Sequence, residues 1–374
     1  MVLISILITL AYLVLIGSFV YGFDKLNLFK LYDVPSETKF SVIIPFRNEA
    51  ENLPNLLNSI SSLAYPNHLF EIIFVDDASK DDSVGIIKKL KETSKINIKV
   101  ISNKRTTNSP KKDAITIAIS HAKYEWLLTT DADCVLPKYW LDSFDAYIQK
   151  TNASCIIAPV TYQITNGFLN RFQCLDMLSL QGATIGGFGI QKPFLCNGAN
   201  FGYKKVLFEA LNGFDGNTDI ASGDDIFFLE KAINKHPLHV YYLKSEEAIV
   251  TTITQPTWRQ LIAQRIRWAA KTTSYNNWFG KLTGFIVFAM NAMIIVNIVL
   301  VILRIVPPNT LLYILFIKFN IDFLLIYKTA SFVNQKNVLF SFLFSFILYP
   351  FFSVYCAFMS VFKSYKWKGR TYKK

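Results

Sequence analysis

Trp126-Leu-Leu-Thr-Thr-Asp-Ala-Asp-Cys-Val135 is the stretch whose reading decides the fold. Its apolar start has the length of a short strand, and two carboxylates, Asp131 and Asp133, follow where that strand should end. In extended backbone, residues i and i+2 lie on the same side of the chain, so both acids can face one polar object. Two hard oxygen donors at a strand terminus suit a hydrated divalent cation that also holds phosphate oxygens. An Asp-x-Asp pair also occurs in solvated turns, so the choice rests on what the rest of the chain supplies.

Upstream, Phe40-Ser-Val-Ile-Ile-Pro45 reads as a buried strand that stops at a proline, which has no ladder donor. Arg47, Asn48, Glu49 and Glu51 follow it, and then Leu53, Leu56, Leu57 and Ile60 recur at helical spacing. A second strand at 71–75 ends in Asp76 and Asp77 and runs into a helix through Val84, Ile86, Ile87 and Leu90. A third at 96–101 leads to a basic loop with Lys111 and Lys112 and a helix over 114–121. Strands alternating with helices at this interval predict βαβ units, hence an α/β fold around a largely parallel sheet. Right-handed crossovers put the C-terminal ends of these strands on one edge. Glu49, Asp76, Asp77, Asp131 and Asp133 are therefore expected where open α/β sheets bind their ligands. Acids gathered there repel one another unless a cation or a donor-rich substrate sits among them.

Downstream the pattern is less regular. Cys196-Asn-Gly-Ala-Asn-Phe-Gly-Tyr203 is punctuated by glycine, which permits a close backbone approach to a ligand or a tight turn. A second glycine-marked bend, Asn212-Gly-Phe-Asp-Gly216, precedes Ser222-Gly-Asp-Asp-Ile-Phe-Phe-Leu229, where Asp224 and Asp225 open a helix. Acids in a first turn also complement the helix dipole, an effect of ~0.3–1 kcal/mol. Residues 258–268 read as a basic amphipathic helix that brings Gln264, Arg267 and Trp268 together on consecutive turns. Such a helix also suits a layer of lipid head groups.

The chain has 374 residues, of which 52% are hydrophobic, and the apolar excess sits at its ends. Residues 2–23 carry no charge, enough to cross a bilayer, and no basic stretch or small-residue cleavage site marks them as a removable signal. Lys25, Lys30 and Lys39 follow this anchor and none precedes it, which places the central domain in the cytoplasm of a bacterial-type inner or plasma membrane. From residue 282 the chain is apolar again, with candidate spans at 282–303, 310–327 and 338–362. Lys318 and Asp322 lie i and i+4 inside the second, either neutralising each other or marking an interfacial segment. Three such spans would leave the basic tail at 363–374 outside, against the positive-inside rule, so one segment is expected to be re-entrant, broken at Pro350 or parallel to the surface. The net charge of +12 owes six basic residues to that tail, and anionic lipid, not nucleic acid, is the expected partner. Five scattered cysteines without a Cys-x-x-Cys pair argue against a disulfide framework or a zinc site and fit a reducing compartment. The expected organisation is an anchor (1–23), a linker (24–38), a central α/β domain (39–256), interface helices (257–281), a transmembrane region (282–362) and a basic cytoplasmic tail (363–374).

Over residues 39–270 the ordered series Val-Ile-Ile-Pro-Phe-Arg-Asn-Glu, Val-Asp-Asp-Ala-Ser, Lys-Lys-Asp-Ala, Asp-Ala-Asp, Gly-Ala-Asn, Gly-Asp-Asp and Gln-Arg-Ile-Arg-Trp resembles glycosyltransferase family 2. The likeness is to the membrane-bound branch that includes cellulose, chitin and hyaluronan synthases. It implies a GT-A fold and transfer, with inversion, from a nucleotide-diphosphate sugar of UDP type to a saccharide or lipid-linked acceptor, dependent on Mg²⁺ or Mn²⁺. By that resemblance Pro45 and Glu49 line the nucleotide pocket, Asp77 with Asp76 contacts base and ribose, and Lys112 lies near the diphosphate. Asp131 and Asp133 match the metal motif, with Asp133 the direct ligand, and Gly198 and Asn200 border the substrate. Asp225, beside Asp224, falls where the family places its general base, and Gln264, Arg267 and Trp268 match the motif that holds the diphosphate and the acceptor end. Two features depart from the pattern: membrane synthases usually read Glu-Asp where this chain has Asp224-Asp225, and the apolar tail offers few spans for a polymer channel, leaving processivity open.

Other readings fit less well. No Gly-x-Gly-x-x-Gly opens the first helix, as a dinucleotide oxidoreductase would need. A transporter would carry its acids inside the spans. A tethered nucleotide-sugar binder without catalysis should lack one of the acidic clusters, and all are present.

Overall fold

The computed structural model describes residues 1–220, 222–271, 275–362, 365–367 and 370–372; the side chains of the expected basic tail, 363–374, lie outside the described residues. The chain divides into two compact units, one of residues 27–161 and 196–253, the other of residues 1–26, 162–195 and 254–374.

The first unit is built on a seven-stranded sheet of order β3-β2-β1-β4-β7-β5-β8. Its strands are β1 (Phe40–Phe46), β2 (Phe70–Asp76), β3 (Asn97–Ser102), β4 (Trp126–Thr129), β5 (Cys155–Ile157), β7 (Phe201–Lys204) and β8 (Val240–Tyr242), with the short β6 (Val160–Tyr162) outside this sheet. The neighbours β3, β2, β1 and β4 run parallel, as the alternating pattern predicts, and β7 is inserted antiparallel between β4 and β5. Val42, Ile43 and Ile44 are fully buried in succession, as expected of a parallel strand covered on both faces. The crossovers are α2 (Leu53–Ser61), α3 (Ser83–Thr93) and α4 (Pro110–His121), followed by α5 (Trp140–Lys150), α7 (Lys205–Ala210) and α8 (Asp224–Lys235). Register pairs Phe46 with Asp76 and Asp76 with Ser102, so the tops of β1, β2 and β3 end level and their loops meet. The segment expected as a linker is in part strapped to this unit: Phe29 is buried in its core, and the Glu37 and Thr38 amides donate to the Asp145 carboxylate.

The second unit is helical. It holds α1 (Val2–Lys25), α6 (Phe168–Gly189), α9 (Trp258–Ala270), α10 (Trp278–Ile302), α11 (Pro308–Phe332) and α12 (Phe342–Phe362). Among the described residues, four segments are long and apolar enough to cross a membrane: Val2–Lys25, Trp278–Ile302, Pro308–Phe332 and Lys336–Phe362. Residues 162–195, expected inside a continuous 39–256 domain, belong to this unit instead, because α6 crosses α1 at glycines. A Cβ at Gly186 would come within 2.4 Å of the Phe19 carbonyl oxygen, and one at Gly189 within 1.8 Å of that of Gly22. Small residues let two helix backbones approach this closely, the packing device of apolar bundles. Lys318 and Asp322 neutralise each other at 2.5 Å, and the Tyr12 hydroxyl donates to Asp322 at 2.6 Å, so the charges inside α11 are paired and turned inward.

Candidate active site

The loops above β1 and β2 are laced together. Asn48 and Ala78 hold left-handed backbone with φ of 51° and 58°, and the strain is compensated by cross-links between the two turns. The Arg47 guanidinium donates to the Asp77 and Ala78 carbonyls, the Lys80 amide to Asn48 Oδ1, and the Glu49 amide to Ser83 Oγ. Glu49 is buried, and its carboxylate accepts from the Asn52 amide at 2.6 Å. Pro45 is half-buried one residue before the end of β1. Asp76 turns back to accept from the Ser79 amide, while Asp77, 7% exposed, accepts from Asn103 Nδ2 at 3.0 Å. Asn103 donates also to the Pro110 carbonyl, which ties Asp77 to the start of α4.

Three consecutive residues of α4 then reach in three directions. Lys111 extends its ammonium to Asp131 Oδ1 at 2.8 Å and to Asp224 Oδ2 at 3.3 Å. Lys112, expected near a diphosphate, buries its ammonium instead and donates to the Asn217 and Ile220 carbonyls, at 2.6 and 3.0 Å. Asp113 accepts four hydrogen bonds from the amides and hydroxyls of Thr106 and Thr107. Both neighbouring loops thus take their shape from this first helical turn, and Lys111 remains as the cation among the acids. Burial by itself would lower the Lys111 pKa, but the Asp131 and Asp224 carboxylates outweigh it and hold the ammonium well above the usual lysine range.

The acids come from two elements far apart in the chain. Asp131 and Asp133 leave the end of β4, where the Thr129 hydroxyl donates to the Gly198 carbonyl at 2.7 Å. Asp224 and Asp225 open α8 after Gly223, whose φ of 84° only glycine adopts easily. Gly198 joins the two sets: its amide donates to Asp225 Oδ2 at 3.0 Å, and a Cβ there would lie 3.1 Å from Asp224 Oδ2 and 3.5 Å from Lys111 Nζ. Asp225 Oδ1 accepts from the Ile226 amide, which fixes the carboxylate plane. Asn200, expected at the substrate, is instead a fully buried strut: its amide donates to the Pro159 and Ala248 carbonyls and accepts from Trp140 Nε1. Gln264, Arg267 and Trp268 lie on α9 in the helical unit.

Among the described residues no three His, Cys, Asp or Glu side chains form a closed metal cage. Burial, and then the Asp133 and Asp131 charges, push the Cys134 thiol well above the ordinary range. The donor set is one or two aspartates at a strand end, which matches a hard cation that keeps waters and phosphate oxygens in its shell. Lys111 and Asn103 are the site residues a linear reading misses. No periodicity separates Lys111 from Lys112; the choice depends on a turn 105 residues away.

Residues 41–211 match the family model described as glycosyl transferase family 2. The chain is 31% identical over 119 residues, 32% of its length, to poly(ribitol-phosphate) beta-N-acetylglucosaminyltransferase TarS of Staphylococcus aureus, covering 20% of that protein. It is 27% identical over 177 residues, 45% of its length, to the poly-beta-1,6-N-acetyl-D-glucosamine synthase of Staphylococcus epidermidis, covering 41% of it. It thus spans less than half of either relative. The structure of the mannosyltransferase PcManGT from Pyrobaculum calidifontis, in complex with GDP-Man and Mn²⁺, is similar in fold, with a TM-score of 0.56 at 15% identity over 96% of this chain and 99% of that one. Sheet order, acidic edge and family match converge: residues 41–211 carry the match to glycosyl transferase family 2, on a GT-A-like fold.

Proposed function

We propose that the chain is a membrane-bound, metal-dependent inverting glycosyltransferase that moves a sugar from a nucleotide diphosphate, UDP by preference, to a saccharide or lipid-linked acceptor. The observation that carries this reading is the convergence of Asp131, Asp224 and Asp225 around Lys111 and Gly198. Asp77, oriented by Asn103 and backed by Asp76, receives the base and ribose, with Pro45 and Glu49 shaping the pocket floor. Asp133, with Asp131, would hold Mg²⁺ or Mn²⁺, and the bound cation would supply Lewis-acid neutralisation of the departing diphosphate. Lys111 adds an ammonium beside the same phosphates.

A sugar hydroxyl is a weak nucleophile near neutral pH, and a carboxylate within about 2.6–3.2 Å can accept its proton as the new bond forms. Asp225 is the better base of the pair. Asp224 is engaged by Lys111, whereas the half-buried Asp225 is held in plane by two backbone amides. Attack opposite the leaving group in one displacement turns an α-linked donor into a β-linked product. On the helical unit, Gln264, Arg267 and Trp268 would hold the diphosphate and the acceptor end, Arg267 through its planar fork. The positive-inside rule puts the sheet unit in the cytoplasm.

A donor screen tests the proposal. Full-length chain in detergent is given UDP-GlcNAc, UDP-glucose or GDP-mannose with Mg²⁺, and nucleotide release is read with and without membrane lipid extract. One donor should stand out and respond to extract. Tight nucleotide binding without release under any condition would favour the non-catalytic binder.

A further inference from the structure

The helix that carries Gln264, Arg267 and Trp268 has a second arginine, Arg265, 7% exposed in the helical unit. Its Nε donates to Asp176 Oδ2 on α6 at 2.6 Å, and Asp176 is itself 6% exposed. Its Nη1 donates to the side-chain oxygen of Gln264, and its guanidinium lies over the Trp268 ring, 4.2 Å from the centroid. Tyr162 also reaches the guanidinium. Tyr349 of α12 also reaches the Asp176 carboxylate.

Stability does not account for this arrangement. Desolvating a carboxylate and a guanidinium costs several kcal/mol each, and well-packed apolar residues of the same volume often hold a fold equally well or better. What an apolar pair could not do is grip two motif side chains together. The carboxylate fixes the guanidinium from one side, and the guanidinium holds the Gln264 amide and the Trp268 indole from the other. A lysine could keep the ion pair, but its compact ammonium cannot stack on the ring or present a fork.

We propose that Asp176 and Arg265 are positioning residues that set the orientation of Gln264 and Trp268 for acceptor transfer. This rests on the reading of Gln264, Arg267 and Trp268 given above.

The test uses full-length chain in detergent and the sugar nucleotide selected by the donor screen. Nucleotide release with membrane lipid extract reports transfer; release without it reports donor binding and hydrolysis. Arg265→Lys is expected to lower extract-dependent release about 10–100-fold, the loss that follows a small misplacement, with extract-independent release nearly unchanged. The double variant Asp176→Leu with Arg265→Met is expected to melt no lower than the parent and to show the same selective loss. The fluorescence difference between each protein and its Trp268→Phe counterpart should change once the cation leaves the ring. Parental extract-dependent release in either variant would overturn the proposal, and if the double variant does not fold, Arg265→Lys decides alone. Trp268→Ala separates the two levels: if it loses transfer while the Arg265 variants do not, only the positioning role falls, and if it keeps transfer, the motif reading falls as well.

Discussion

Lys111 and Lys112 are adjacent in sequence and opposite in consequence. Lys111→Met removes the cation between Asp131 and Asp224, and nucleotide affinity should fall about tenfold or more, the worth of one charge-assisted hydrogen bond. Isothermal titration with UDP and Mg²⁺ measures it. Lys112→Met instead strips the buried donor from the Asn217 and Ile220 carbonyls. The expected cost is about 2–3 kcal/mol of stability, seen as a lower melting temperature. At Asp225, the Asn variant should retain nucleotide affinity and lose about 10²–10⁴-fold in turnover; parental turnover would remove it as the base. EDTA should abolish transfer and Mg²⁺ or Mn²⁺ restore it, which a chelation and add-back series checks directly. The types and order of these acids could be read from the chain because strand ends and helix starts are marked locally. Directions could not: Asn200 sits in a glycine-rich motif yet faces inward to Trp140, and only the packed core decides that.

Among elements, β1, β2 and β4 were legible because each is a short apolar run with a proline or an acid at or just beyond its end. The helix α6 was not, since it is buried on most sides and mixes Gln, Asp, Thr and glycine with its apolar residues, so no stripe stands out. Glu71, at the start of β2, shows how the sheet is tied to its surroundings. Its buried carboxylate accepts from Ser41 and the Lys123 amide and pairs with Lys99 at 2.8 Å. Burial would raise its pKa, but these three partners outweigh that and lower it. A lowered folded-state pKa contributes stability that is present above the unfolded value, about 4.3, and is lost as pH falls through the folded one. Melting temperature should therefore drop in acid below about pH 4.3, and Glu71→Gln should flatten that part of the profile while lowering stability at neutral pH.

On the scale of the whole molecule, the interleaving of the two units escaped the linear reading because 162–195 leaves one unit and joins the other. In the proposed orientation the loop at 303–307, whose one charge is Arg304, is the external turn. A cysteine at Ile305 should react with an impermeant maleimide on intact cells, and one at Ser36 only after the membrane is opened; the reverse result would invert the proposed orientation. The glycine crossing of α1 and α6 carries a practical consequence. Trimming the first 26 residues to obtain a soluble enzyme would strip Gly186 and Gly189 of the backbone that covers them, and with it the support of the helix bearing Asp176. What looks like a disposable tether is a structural wall of the catalyst, so preparations that keep it, in detergent or nanodiscs, are the ones in which acceptor transfer should survive.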